Sequence, residues 1–287
     1  MIKGMFWFVK SSIELDLGMF AVCHWEFSKK IEFLFKKYWE LFLLSSGIKK
    51  FVFGENYTNL FGKRIFYDSP YGIAGYQSML VRQQRMLRDA GSKTANTIVD
   101  IGANVGFFSM MLRELYPKAQ IYAIEPVPQI FTNLKANLTS NLDKVYGVAI
   151  SDKDGMVSMS FKDQESAVSH VIDRDAKDSG KTVKVRSTTL DNWCLQEKIR
   201  VIDLLKIDTE GYEAHVLRGA QKTLIKTKYL HIEISLEDNN NYTFSQINSL
   251  LYSDKFNFQL VYFRNFTDKG YGPITVGDFL FRNIMLD

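Results

Sequence analysis

Residues 97–109 read Thr-Ile-Val-Asp-Ile-Gly-Ala-Asn-Val-Gly-Phe-Phe-Ser, and no other stretch narrows the fold as far. Ile98, Val99 and Ile101 are β-branched, as suits a strand covered on both faces. Gly102 and Gly106 permit a sharp turn and a close approach of backbone to ligand, with no Cβ in the way. A helix then begins. A second apolar run, Ile121-Tyr122-Ala123-Ile124, ends in Glu125. An acid about twenty residues beyond such a turn is placed to grip the two hydroxyls of a ribose. The pattern predicts an α/β chain that binds an adenosine-containing cofactor.

The rest of the chain repeats that rhythm. Strand 97–101 leads to a helix over 106–115 that Pro117 stops. Strand 120–124 leads to a helix over 128–138, with Pro126 and Pro128 near its start, and strand 144–150 follows. The alternation resumes with strand 201–207, a helix over about 212–226 and strand 229–234. This predicts a doubly wound, mostly parallel sheet with helices on both faces. Segments 258–263 and 275–281 read as an antiparallel C-terminal pair. Residues 151–190 break the rhythm as a β-rich insertion, in which strands 156–161 and 182–186 flank a charged loop from Lys162 to Lys181. Upstream, a helix over 77–89 turns Met79, Leu80, Met86 and Leu87 to one side and stops at Gly91.

Two regions follow: a partly helical N-terminal extension over 1–75 and a cofactor-binding domain over 76–287. In the extension, Ile31, Leu34, Phe35, Tyr38, Leu41 and Phe42 recur at helical spacing, with Lys36, Lys37 and Glu40 on the opposite face. The expectation is that this stripe packs on the main domain. Self-association into a homo-oligomer, or contact with a membrane surface, is the alternative.

A hydrophobic fraction of 46% and a charged fraction of 24% over 287 residues are ordinary for a chain that buries a core. The formal net charge of +4, with no basic run beyond lysine pairs, argues against a nucleic-acid partner. Cys23 and Cys194 have no metal-ligand spacing and read as free thiols of a reducing compartment, so a cytoplasmic location is expected. Lys10, Glu14 and Asp16 interrupt the apolar N-terminus, leaving no run near the ~20 uncharged residues of a membrane span. No small-residue cleavage site follows it, so no signal peptide is expected.

In an open α/β sheet, ligands bind outside the carboxyl ends of the strands. Asp100 and Asn104 fall at the end of the first strand, Glu125 at the second and Ser151 after the third. Asp208 and Glu210 follow the strand that starts near Val201, and Glu233 nears the end of the next. Carboxylates gathered at the rim of an apolar sheet are too costly to be core filling. A pyrophosphate loop wants G-x-G-x-x-G, whereas here three residues separate Gly102 from Gly106 and no third glycine follows. That spacing suits a ligand without phosphate. S-adenosylmethionine is such a ligand, with an adenosine, a sulfonium and an amino-acid tail. Asp100 would serve its ammonium, the backbone around Gly102, Asn104 and Gly106 its tail, and Glu125 its ribose. Ala103, Pro126 and Ser151 complete the candidate set.

Four segments together resemble the FkbM-type methyltransferases: Val99 to Ser109, Glu125-Pro126, Asp203 to Glu213 with its Lys-Ile-Asp-Thr-Glu-Gly run, and Val216 to Ala220. Thr189-Leu190-Asp191 also matches, and the resemblance covers roughly residues 76–285. It implies a class I, Rossmann-like fold, S-adenosylmethionine as cofactor, and O-methylation, commonly of hydroxyls on sugars or polyketide-like products. One position departs: relatives often carry Tyr-Glu ahead of the first strand, where this chain has Tyr76-Gln77.

A sugar hydroxyl is a weak nucleophile, so a base that takes its proton would help. Asp208 is the first candidate, with Glu210 and Glu233 beside it, since neighbouring carboxylates raise one another's pKa. Hard oxygen ligands of this kind also suit magnesium, but nothing in the sequence calls for a metal and none is assigned. His231, mid-strand, reads as a core residue. The competing readings are a nicotinamide-dependent oxidoreductase, against which the missing glycine counts, and a non-catalytic assembly module.

Overall fold

The computed structural model describes residues 2–50, 56–67, 72–162, 165–171, 181–236, 244–265 and 276–286. Helices α1 (Ile2–Val22) and α2 (Phe27–Ser45) precede a hairpin of β1 (Asn56–Leu60) and β2 (Lys63–Tyr67), then α3 (Gly72–Asp89). The parallel core begins with β3 (Thr97–Ile101), α4 (Phe107–Leu115), β4 (Gln120–Ile124), α5 (Pro128–Asn137) and β5 (Asp143–Tyr146). Strands β6 (Ala149–Ser151), β7 (Gly155–Lys162), β8 (Glu165–Val171) and β9 (Lys181–Thr189) form the insertion. Then come α6 (Leu190–Gln196), β10 (Ile202–Ile207), α7 (Glu213–Arg218), β11 (Thr227–Ser235), α8 (Phe244–Leu251), β12 (Phe258–Asn265) and β13 (Val276–Asn283).

Among the described residues the central sheet has the order β12-β13-β11-β10-β3-β4-β5. Strands β11, β10, β3, β4 and β5 are parallel, while β13 runs antiparallel to β11 and β12. This is the expected α/β, doubly wound sheet. The period of two along each strand feeds two cores. Ile98, Ile121, Leu204 and Leu280 face α1, α3 and α4, and Val99, Leu205, Leu230 and Phe281 face α6, α7 and α8. The chain leaves β3 in one direction through β4 and β5 and returns on its other side through β10. That reversal is a topological switch point between β3 and β10, where ligands bind in such sheets.

Several elements differ from expectation for identifiable reasons. The run 144–150 divides at Gly147 into β5, in the central sheet, and β6, which joins β9, β7 and β8 in a second sheet. Residues 165–171 of the expected loop form β8, paired with β7, while 172–180 lie outside the described residues. The helix expected over 212–226 stops at Arg218. Gly219 ends it: a Cβ there would lie 2.0 Å from the Ser151 carbonyl, and the Gly219 carbonyl accepts from Asp191 N–H at 2.9 Å.

The N-terminal helices share the core of the main domain, since Met19 and Phe33 pack with Tyr76, Leu80 and Phe108 in one cluster. Helix α2, however, is turned over. Phe33 and Lys37 are its buried residues, whereas Phe35 is 65% and Phe42 53% exposed. Of the expected inward stripe, Ile31, Phe35, Tyr38 and Phe42 face out, Leu41 is half-buried and Leu34 packs on the core. Asp16 of α1 decides this: it takes the Lys37 ammonium at 2.6 Å and the Gln77 amide at 2.8 Å, and Ser12 Oγ accepts from Lys37 at 2.8 Å. A buried lysine is tolerable only with such partners. Gln77 therefore serves the α1–α3 contact. A carboxylate in its place would set a second negative charge beside Asp16.

Candidate active site

At the switch point β3 ends in Gly102, whose φ is +75°. A Cβ on Gly102 would lie 1.8 Å from the Asp208 carbonyl oxygen, so the ends of β3 and β10 approach this closely only with glycine here. Asn104 follows with φ 52°, a conformation that asparagine tolerates better than most residues. Gly106 also serves packing. With φ +92° it starts α4 and lies against Leu134 of α5. Over this turn opens a cavity of about 290 Å³. Gly102, Ala103, Asn104, Glu125, Pro126, Asp208 and Glu210 all line it. Asp100, Gly106, Ser151 and Glu233 are not among its walls.

Glu125 is buried at the end of β4, where its carboxylate accepts the Asn104 N–H at 3.1 Å and the Val127 N–H at 2.9 Å. These bonds fix the glycine turn relative to β4 while the side chain still borders the cavity. Asp100 lies beneath the floor, fully buried, accepting from Ser109 Oγ at 2.6 Å. Ser151 Oγ is 3.0 Å from the Tyr212 hydroxyl, and it is Tyr212 that reaches the cavity.

Lys206 was not singled out from the sequence, and it organises the charge of the site. It sits on β10, in register with Asp100 on β3 and His231 on β11. Its ammonium lies 3.1 Å from Asp208 and 3.4 Å from Asp100, and 5.1 Å from the centre of the Phe108 ring. Burial alone would favour its neutral form; Asp100 and Asp208 overcome that and hold it charged. The polar row continues into the sheet, where His231 Nε2 is 3.1 Å from Asp278, which accepts from Gln83 at 2.7 Å. A lysine amid the apolar run of β10 was itself a signal, because a buried ammonium requires acids around it. The apolar walls contributed by Val148, Ile150 and Met159 had no such signal.

Glu233 comes beside Asp208 and Glu210 of the cavity wall, with one carboxylate oxygen of each within 4.8 Å of the others. Burial, then the charges of Asp208 and Glu210, pushes Glu233 up to about 10. Desolvation and the Asp208 charge push Glu210 up to about 8. Glu210 stands on the exposed rim, where water tempers the rise, so the half-buried Glu233 carries the firmer shift. Glu213 shapes the turn between them. Its carboxylate accepts from the Thr209 and Gly211 N–H groups at 2.8 and 3.1 Å, a cap within the fold.

A family model described as the Methyltransferase FkbM domain matches residues 100–263. The chain belongs to this family. The FkbM domain here is 28% identical over 153 residues to the 2-O-methyltransferase NoeI of Sinorhizobium fredii, covering 48% of this chain and 63% of that one. It is 24% identical over 158 residues to the 31-O-demethyl-FK506 methyltransferase FkbM of Streptomyces tacrolimicus, covering 45% and 61%. Over 141 residues it is 26% identical to the hexuronic acid methyltransferase AglP of Haloferax volcanii, covering 47% and 54%. The chain thus spans less than two thirds of the length of these relatives.

The cofactor of the family is S-adenosylmethionine, and the cleft fits it on its own chemistry. Among the described residues the walls carry the carboxylates of Glu125, Asp208 and Glu210 against the single ammonium of Lys206, already held between two acids. Such a field favours a cationic ligand and opposes the diphosphate of a nicotinamide dinucleotide.

Proposed function

We propose that this chain transfers the methyl group of S-adenosylmethionine to a hydroxyl of a sugar or glycan-type small molecule. The observation that carries the reading is the carboxylate cluster in which Glu233 adjoins Asp208 and Glu210 of an acid-lined cavity. Gly102, Ala103 and Asn104 would floor the cofactor site, with Glu125 on the ribose and Pro126 beside it. Bound there, the cofactor supplies an electrophilic methyl group on a cationic sulfur. The chain's own residues place the acceptor oxygen and take its proton. Lys206 fixes Asp208 in orientation, which leaves Glu210 to take the proton, beside a Glu233 that stays protonated. A carboxylate whose pKa is raised towards the working pH is the more effective base. The sugar acceptor draws support from the names of two relatives, a 2-O-methyltransferase and a hexuronic acid methyltransferase.

The test is incubation with methyl-labelled S-adenosylmethionine and a panel of monosaccharides, hexuronates and short oligosaccharides. Label in an O-methyl ether is expected, and its loss in Glu210→Gln. Transfer only to nitrogen or carbon acceptors would contradict the proposal.

A further inference from the structure

The reversed packing of α2 leaves an apolar face with no covering element among the described residues. Phe27, Ile31, Phe35, Tyr38, Trp39 and Phe42 are all exposed. Their spacing keeps them on one side of the helix. The rings of Trp39 and Phe35 stack at 6.4 Å, and those of Trp39 and Phe42 at 5.7 Å. On α1, Ile13 and Leu17 extend the patch, with Leu17 67% exposed. A contiguous face of this kind marks a site of interaction.

The charges around it select the occupant. The nearby acids are turned inward and occupied: Asp16 by Lys37, Glu40 by Lys49 at 2.5 Å, and Glu32 by the Phe61 N–H at 3.0 Å. On the wheel of α2, Lys29 and Lys36 flank one side of the aromatic stripe, and Lys30, whose ammonium donates to the Phe20 carbonyl at 3.0 Å, the other. Over residues 1–50 eight lysines stand against five acids. Of these, residues 1–13 carry Lys3 and Lys10 with no acid. Aromatic rings between basic flanks are the pattern of a helix lying in the plane of a lipid interface, with its lysine heads reaching the phosphates. Two copies joined through the same face would instead bring like-charged flanks together. No described helix is long and apolar enough to cross a membrane, which limits the contact to the surface.

We infer that the outer face of α1 and α2 is a docking surface for an anionic phospholipid bilayer. The test is flotation of the full chain with vesicles of phosphatidylcholine alone and of phosphatidylcholine with phosphatidylglycerol, 3:1. At least tenfold stronger partitioning onto the anionic vesicles is expected, weakening as salt rises. The double substitution Phe35→Gln, Trp39→Gln should reduce it at least tenfold. Both side chains are exposed, so the variant should keep the thermal midpoint and the S-adenosylmethionine affinity of the wild type. Failure to float, equal flotation of the variant, or a light-scattering dimer that the variant dissolves without any vesicle binding would each overturn the inference.

Discussion

Lys206→Met removes the one cation that the described residues place in the cavity wall while keeping most of the side-chain stem in place. In the wild type that ammonium lies 3.4 Å from Asp100, which is fully buried and, among the described residues, has the Ser109 hydroxyl as its other donor. Breaking a buried pair from one side leaves an uncompensated charge and costs about 3–5 kcal/mol. For 287 residues, an unfolding entropy of about 2.1 cal/mol/K per residue gives about 0.6 kcal/mol/K, so the midpoint should fall by about 5–8 °C. Asp208 contributes little to that loss, because it is partly exposed and water can solvate it. The double variant Lys206→Met, Asp100→Asn removes the stranded charge and should recover more than half of the deficit. Thermal melts of the two single variants and the double variant at neutral pH measure the coupling directly. A deficit below about 1 kcal/mol, or additive effects, would refute the assignment of Lys206 as the counter-ion of Asp100.

Activity should rise with pH across the neutral range and level off no higher than about 8, because Glu210 is a competent base only after losing the proton that desolvation and Asp208 help it retain. A kcat/KM profile of the wild type against Glu210→Gln checks this, with loss of the ascending limb expected in the variant. Glu233 predicts a stability effect of definite sign. Its folded value is pushed up to about 10, while the unfolded chain releases that proton near pH ~4.3. Folded protein therefore binds more protons between those values, and stability falls as pH rises. The midpoint of Glu233→Gln relative to wild type should accordingly increase from pH 5 to pH 8, and a constant difference would count against it. Gly102→Ala should lose S-adenosylmethionine binding and at least ~2 kcal/mol of stability, since it combines a left-handed φ with a 1.8 Å overlap; calorimetry and melts report both.

The turn after β3 was legible because β-branched residues, two glycines and a later acid say the same thing at three levels. The rim carboxylates were legible for a related reason: Asp208 and Glu210 follow a strand that burial on both faces makes apolar. What escaped depended on partners distant in sequence. The stripe of α2 showed that the helix has two faces, but Asp16 and Gln77 determine which one is inward. The end of α7 is dictated by the Ser151 carbonyl, far from Gly219 in the chain. The partners of Asp100 were likewise hidden, since Lys206 and Ser109 come to it from other elements. The contact of Gly106 with Leu134 of α5 had no sequence signal either.

The central claim is that the cavity over Gly102 holds S-adenosylmethionine with Glu125 against its ribose. Calorimetric titration of the cofactor into wild type and Glu125→Gln measures it most directly. Losing a charge-assisted hydrogen bond of about 1.5–3 kcal/mol predicts a Kd weaker by about ten- to a hundredfold in the variant, with NADH giving no heat in either. Equal Kd values for the two proteins, or heat from NADH and none from S-adenosylmethionine, would contradict the account.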